Sequence, residues 1–235
     1  MKLNHLGQPI GDDVAGWIPP HAPGRTTIAE GRYCRVEPLD WERHTHELWD
    51  AFALDREHRN WTYLPHGPYA SRDEFAAWVR SAAATDDPLF FAVIDRPSRR
   101  AAGVAAYLRI APAAGSIEVG HINFSPLLQR MPAATEAMYW MMRHAFELGY
   151  RRYEWKCDAL NAPSRAAAAR LGLSFEGIFR QALVYKGRNR DSAWYAAIDK
   201  DWPALKTAFE QWLAPENFDP SGRQRKRLSE LRVVS

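Results

Sequence analysis

Three groups of residues in this chain have the types and spacing that chemistry needs. From Gln129 to Thr135 the sequence reads Gln-Arg-Met-Pro-Ala-Ala-Thr, between a strand pattern and an amphipathic helix pattern. A helix start leaves its first backbone N–H groups without intrahelical partners and carries the positive end of the helix dipole. Such a turn suits an anion, for instance a diphosphate. The N–H groups of Gln129, Arg130, Met131, Ala133 and Ala134 can donate, and Arg130 adds a full charge. Pro132 has no N–H, but its fixed φ fits a first helical turn. The bland alternative is an ordinary strand-to-helix turn.

The second group is Asn161-Ala-Pro-Ser164, which opens a short Ala-rich helix after the next strand pattern. Small amide and hydroxyl side chains suit a neutral, hydrogen-bonding ligand arm; either one also suits a helix cap. The third group holds the candidates for moving a proton. Glu118 and His121 lie on the strand that feeds the first turn, and Asp158 lies on the neighbouring strand. Removing a proton from an attacking nucleophile is typically worth ~10²–10⁴ in rate. Glu118 ranks first as the base, against a surface or hydrogen-bonded structural role for each.

In this order and spacing the motifs resemble the GCN5-related N-acetyltransferases. Gln129-x-x-Pro132-x-Ala134 is similar to that family's acyl-CoA pyrophosphate loop, with Pro132 where the family usually has glycine. Asn161-Ala-Pro-Ser164, followed by Leu171-Gly172-Leu173 and Glu176-Gly177, is similar to the branch that acetylates ribosomal-protein N-termini. The resemblance runs from Gly31 to Asp201. It implies a single α/β domain, with a mixed, mostly antiparallel sheet flanked by helices and splayed at the acyl-CoA site. It also implies acetyl-CoA as co-substrate, bound by Gln129, Arg130, Met131, Ala133, Ala134, Thr135, Asn161 and Ser164, and no metal.

By the same resemblance Asn161 contacts the pantetheine arm. Ser164 lies near the CoA sulfur and acts as a catalytic hydroxyl alongside Glu118. Two positions depart from the family. Ala168 stands where many members carry a tyrosine that protonates the thiolate, and Leu183 stands where the ribosomal-protein branch often has a glutamate. The aromatic loop 56–70 is implied to cover the acceptor side, with Trp61, Tyr63 and His121 as substrate contacts. The alternative is a surface loop anchored by Trp61.

Periodicity supplies elements to position these groups. From Gly31, residues 32–39 read as a strand. Asp40 caps a helix with Leu48, Trp49 and Phe52 on its stripe, and Ser71 with Glu74 forms a capping box for a helix carrying Phe75, Trp78, Val79 and Ala82. Residues 89–95 and 103–110 form a hairpin, and 117–125 a further strand. A long helix spans 133–148, followed by a strand at 152–157 and a helix at 163–171. Strands at 175–185 and 192–198 flank a turn, and a last helix runs from Pro203 to Leu213. Residues 1–30 read as an extended Gly- and Pro-rich arm, pinned by Trp17 and Ile18, residues 31–214 as the catalytic domain, and residues 215–235 as a flexible basic tail.

Composition narrows the function further. Charged residues are 25% and hydrophobic residues 46%, an ordinary globular balance. The net charge of +3 comes from the tail, where Arg223, Arg225, Lys226, Arg227 and Arg232 face Glu230. A near-neutral body with a short basic end is not the profile of a dedicated nucleic-acid binder. The two cysteines, Cys34 and Cys157, lack CxxC spacing and fit a reducing compartment. His44 and His46 point apart on a helix and make no metal pair. No leader-like apolar run opens the chain and none approaches the ~20 residues that cross a bilayer, so a cytoplasmic protein is expected. The expected partners are acetyl-CoA and a primary-amine acceptor, with a homodimer left open. A non-catalytic acyl-CoA-binding module is the competing reading, and a nucleic-acid-associated protein using the tail a weaker one.

Overall fold

Strand alternation gives the central sheet two faces, and each face carries its own core. The computed structural model describes residues 2–232. Two short strands, β1 (Lys2–Leu3) and β2 (Pro9–Ile10), pair within the N-terminal arm. The main sheet has eight strands: β3 (Ala29–Glu30), β4 (Cys34–Pro38), β5 (Leu89–Asp95), β6 (Ala101–Ala111), β7 (Ser116–Phe124), β8 (Arg152–Asp158), β9 (Ser174–Tyr185) and β10 (Arg188–Ile198). They lie in chain order except at one edge, where β10 sits between β8 and β9. All neighbours are antiparallel except β7 and β8. A parallel pair needs a long crossover, and α3 (Pro132–Glu147) supplies it. The single α/β domain with a mixed, mostly antiparallel sheet agrees with the sequence expectation.

On one face, α1 (Trp41–Phe52) and α2 (Arg72–Ala84) bury Leu48, Phe52, Phe75 and Val79 against Phe90, Ala92 and Val104. Their starts are set by local chemistry. The Asp40 carboxylate accepts the N–H groups of Glu42 and Arg43, and Ser71 Oγ accepts that of Glu74. Glu74 in turn accepts the N–H of Ala70 at 3.0 Å. On the other face, α3, α4 (Ala162–Leu171) and α5 (Trp202–Leu213) cover Phe91, Val93, Ile117, Val119, Tyr153 and Trp155.

Glu136 of α3 is buried, and its carboxylate accepts the backbone N–H groups of Arg32, Tyr33 and Cys34 at 2.8, 2.7 and 2.7 Å. The chain between β3 and β4 turns around this one side chain. Gly31 makes room for it, because a Cβ there would lie 2.5 Å from the carboxyl carbon.

Both chain ends differ from expectation. In the arm, Trp17 donates its indole N–H to Gly149 O at 3.1 Å, whereas Ile18 is 80% exposed and pins nothing. The segment from Pro215 to Arg232, expected as a flexible tail, is packed. Leu228 on α6 (Leu228–Leu231) joins the main core, and Asn217 bridges Trp212 O and Lys226 O through its amide. Trp212 donates to Gln224 at 2.8 Å, and Arg232 reaches Ala169 O at 3.1 Å. The basic residues dominated the sequence pattern and hid the single buried leucine among them. Residues 233–235 of the expected tail, like Met1 of the arm, lie outside the described residues.

Candidate active site

The sheet opens at its parallel pair. β7 and β8 are in register only from Ser116 to Val119 against Arg152 to Trp155, yet β7 continues to Phe124 and β8 to Asp158. Beyond Val119 and Trp155 the strands part, and a cavity of about 260 Å³ fills the gap. Strand bending helps to open it. Against β6, β7 carries an extra residue at His121–Ile122, and His121 takes φ +48°. Because β7 and β8 are parallel, α3 and α4 both start at the carboxyl end of this gap, a placement open α/β sheets favour for ligands.

Alternation sorts the cavity wall into two sides. Trp155 and Cys157 point to the α3–α4 face, where Asn161 and Ser164 join them. Asn161 is the N-cap of α4: its Oδ1 accepts the Ser164 N–H at 3.1 Å. Ser164 Oγ accepts the Trp155 indole N–H at 3.0 Å and is therefore not the cap. Cys157 is buried beside Ser164, and burial pushes its thiol pKa up, with the Ser164 hydrogen bond opposing.

The α1–α2 face of the cavity is charged. Glu118 is 2% exposed; Arg109 Nη1 lies 2.7 Å from Oε1 and Lys156 Nζ 2.9 Å from Oε2. Burial raises the Glu118 pKa despite these two cations, which pull it down. Lys156 also pairs with Glu154 at 2.8 Å and lies 3.8 Å above the Trp194 ring. Asp158 accepts the Tyr185 O–H at 2.8 Å and the Leu160 N–H at 2.8 Å. His121 packs on Phe90 and on His66, and its Nδ1 finds no partner among the described residues. Burial lowers its pKa to about 4, with Arg109 and Arg190 adding to the effect, so the ring is neutral near pH 7.

The 56–70 loop forms the rim. Tyr63 lines the cavity and donates to Leu160 O at 3.2 Å. The β9–β10 turn clamps the same loop, with Lys186 Nζ 2.7 Å from Trp61 O and Arg188 Nη2 2.8 Å from Thr62 O. The Trp61 ring, expected as a substrate contact, is only 4% exposed and packs against Phe52, Tyr69 and Trp78 beneath the loop. Gly67, at φ +60°, passes over it so closely that a Cβ would come within 2.4 Å of the indole. Trp61 anchors the loop, as the alternative reading had it.

The turn before α3 lies outside the cavity wall. Arg130 takes φ +63° and is exposed. The backbone N–H groups of Gln129, Met131 and Ala134 bond to Ser125, Leu128 and Met131 carbonyls, while those of Arg130 and Ala133 have no acceptor among the described residues. The Gln129 side chain is used up in holding Asn60 Oδ1 and Phe124 O at 2.9 and 2.8 Å. Thr135, expected to contact the cofactor, is turned inward at 2% exposure and accepts a hydrogen bond from Arg170 Nη2 at 2.7 Å, which joins the start of α3 to the end of α4. The turn therefore offers unspent N–H donors and the Arg130 guanidinium, groups of the kind an anion takes.

Sequence reading passed over Arg109, Lys156, Tyr185 and Arg190, all on the cavity wall. A signal for Lys156 exists. Glu118 and Glu154 are direct partners across the parallel pair, and two adjacent carboxylates, one buried and one partly buried, demand a cation.

Known structures agree with this architecture. A GCN5-related N-acetyltransferase from Brucella melitensis is 51% identical at a TM-score of 0.91, over 93% of this chain and 99% of its own. A probable GNAT-family acetyltransferase from Chromobacterium violaceum is 41% identical at 0.77, over 84% and 98%. An acetyl transferase from Salmonella typhimurium that modifies the N-terminal serine of ribosomal protein L7/L12 shares the fold at 0.63, with 21% identity over 73% and 98%. A comparison with curated proteins found no match. Fold and opened strand pair together are those of an N-acetyltransferase. Residues 35–174 match the acetyltransferase (GNAT) domain, and the chain belongs to that family. No helix of the described residues is long and apolar enough to cross a membrane, and no cluster of metal-ligating side chains occurs among them.

Proposed function

We propose that the protein moves the acetyl group of acetyl-CoA to a primary amine, at a peptide N-terminus or on a small amino compound, by direct attack. One observation carries this reading: the cavity passes between β7 and β8, so groups on both sheet faces reach the same space. The α3–α4 side offers Asn161 and Ser164 to a thioester arm, and the α1–α2 side offers Glu118, His121 and Tyr63 to an amine.

In this reading Arg130 and the free N–H groups at the start of α3 hold the diphosphate. Glu118 receives the amine's proton through water, because its carboxylate is too enclosed for direct contact with more than a small group. Ser164 donates its O–H toward the sulfur that leaves. No acetyl-enzyme is needed, since the thiol in the cavity, Cys157, is held protonated by burial. Two buried, unpaired cysteines support a reducing compartment such as the cytoplasm.

Initial rates measured across a grid of acetyl-CoA and amine concentrations test direct attack. Intersecting double-reciprocal lines are expected. Parallel lines, abolished by Cys157→Ala, would place an acetyl group on the protein and overturn it.

A further inference from the structure

Arg190 is the cation of the cavity wall that has no carboxylate of its own. Arg109 and Lys156 are paired with Glu118, and Lys156 with Glu154 as well. Arg190 makes no ion pair among the described residues; it gives only its Nε to Ser192 Oγ, at 3.1 Å, and leaves both terminal nitrogens for another acceptor. It is partly buried and lines the cavity. Ala193 and Tyr195 belong to the α3–α4 core, so Ser192 and Trp194 face the opposite way, with Lys156 and Glu118; Arg190 lies two residues before Ser192, past an irregularity in the β9–β10 pairing, and its charge reaches both His121 and Cys157. Its charge is felt by His121, whose protonation it opposes. Arg190 also lies 5.9 Å from the Tyr185 ring centre, but it has no carboxylate, and its planar fork matches a carboxylate or a phosphate.

We infer that Arg190 binds an anionic group on the acceptor, so that the amine to be acetylated carries a carboxylate or similar anion a few atoms away. The inference rests on the acetyltransferase reading above. The anion has two sources, the α-carboxylate of a free amino acid or an acidic side chain near a peptide N-terminus.

The test is CoA release with paired acceptors, each kcat/KM taken per neutral amine because the α-carboxylate makes alanine's amine the more basic: alanine against alaninamide, and the tripeptide amide Ala-Asp-Gly against Ala-Asn-Gly. In the wild type one acid should exceed its amide by about tenfold or more in kcat/KM, mostly through KM. The pair that discriminates names the source. Arg190→Ala should bring that acid-to-amide ratio close to one, and Arg190→Lys should keep part of it. Equal kcat/KM for acid and amide in both wild-type pairs overturns the anion site while leaving acetyl transfer intact. So does an Arg190→Ala variant that retains the preference. Absence of CoA release with all four acceptors and with a panel of neutral amines overturns both readings together.

Discussion

The Trp155 indole N–H donates to Ser164 Oγ at 3.0 Å, so the hydroxyl hydrogen of Ser164 is left to donate to a sulfur, that of Cys157 beside it or that of a ligand in the cavity. Accepting one hydrogen bond polarises the hydroxyl for donating another. With Asn161 as the cap of α4, Ser164 is released from the structural role that its position suggested. Ser164→Ala is expected to lower kcat by about tenfold, below the ~10²–10³ typical of an oxyanion donor, because sulfur is a weaker acceptor. CoA affinity should barely change. The orphaned Trp155 N–H should cost about 1 kcal/mol of stability. Steady-state kinetics beside a denaturation curve reads both; a normal kcat would remove Ser164 from the chemistry.

Arg130 is exposed at the start of α3, with its own N–H and that of Ala133 unspent. Arg130→Glu sets a negative charge against a diphosphate and should weaken CoA binding about tenfold or more by calorimetry. Unchanged affinity in the folded variant would move the diphosphate elsewhere.

Leu228 is 2% exposed within the main core. Leu228→Ala is therefore expected to cost about 2–5 kcal/mol of unfolding free energy. Deleting the chain from Ser221 onward also removes Gln224 from Trp212 and Lys226 from Asn217, and should lower the melting temperature more. A deletion that melts like the wild type would show that this segment contributes nothing to the fold.

His66 and His121 stack with ring centroids 5.6 Å apart. Burial lowers both pKa values, to about 3 for His66 and about 4 for His121; His121 and Lys186 also act on His66. Both rings are neutral in the folded state at pH 7. As pH falls below about 6.5 the unfolded chain takes up protons that the folded one refuses, so stability is full above that value and is lost toward pH 4. For His121 alone the loss is on the order of 3 kcal/mol. Urea unfolding at about pH 7 and about pH 4.5 should show the drop, and His66→Phe with His121→Phe should flatten it. An equal slope in the double variant would contradict the assignment.

Most of the fold was legible because periodicity and caps agree. Asp40, Ser71 and Asn161 start helices where their side chains suggested. The stretches expected to bind the cofactor fold at helix starts, where the sequence put them, since each is short and contiguous, although Gln129 and Thr135 turn out to tie elements together. The α1–α2 side of the cavity was mostly hidden. Its wall is assembled from β6, β7, β8 and β10 by register, and nothing local to Arg109 or Arg190 reveals that Arg109 meets Glu118 or that Arg190 stands unpaired. Trp61 was misplaced for a related reason: a tryptophan in a loop looks like a binding residue until its neighbours Phe52, Tyr69 and Trp78 are known. In the last segment, charge masked one buried leucine.

Amine-dependent release of free CoA from acetyl-CoA, with the acylated product identified by mass spectrometry, tests the central claim most directly. The account predicts release that saturates with the amine, yields an N-acetyl amide, and falls at least tenfold in Glu118→Gln, in line with loss of a general base. Tight binding of acetyl-CoA with no amine accelerating its breakdown above the protein-free rate would contradict it.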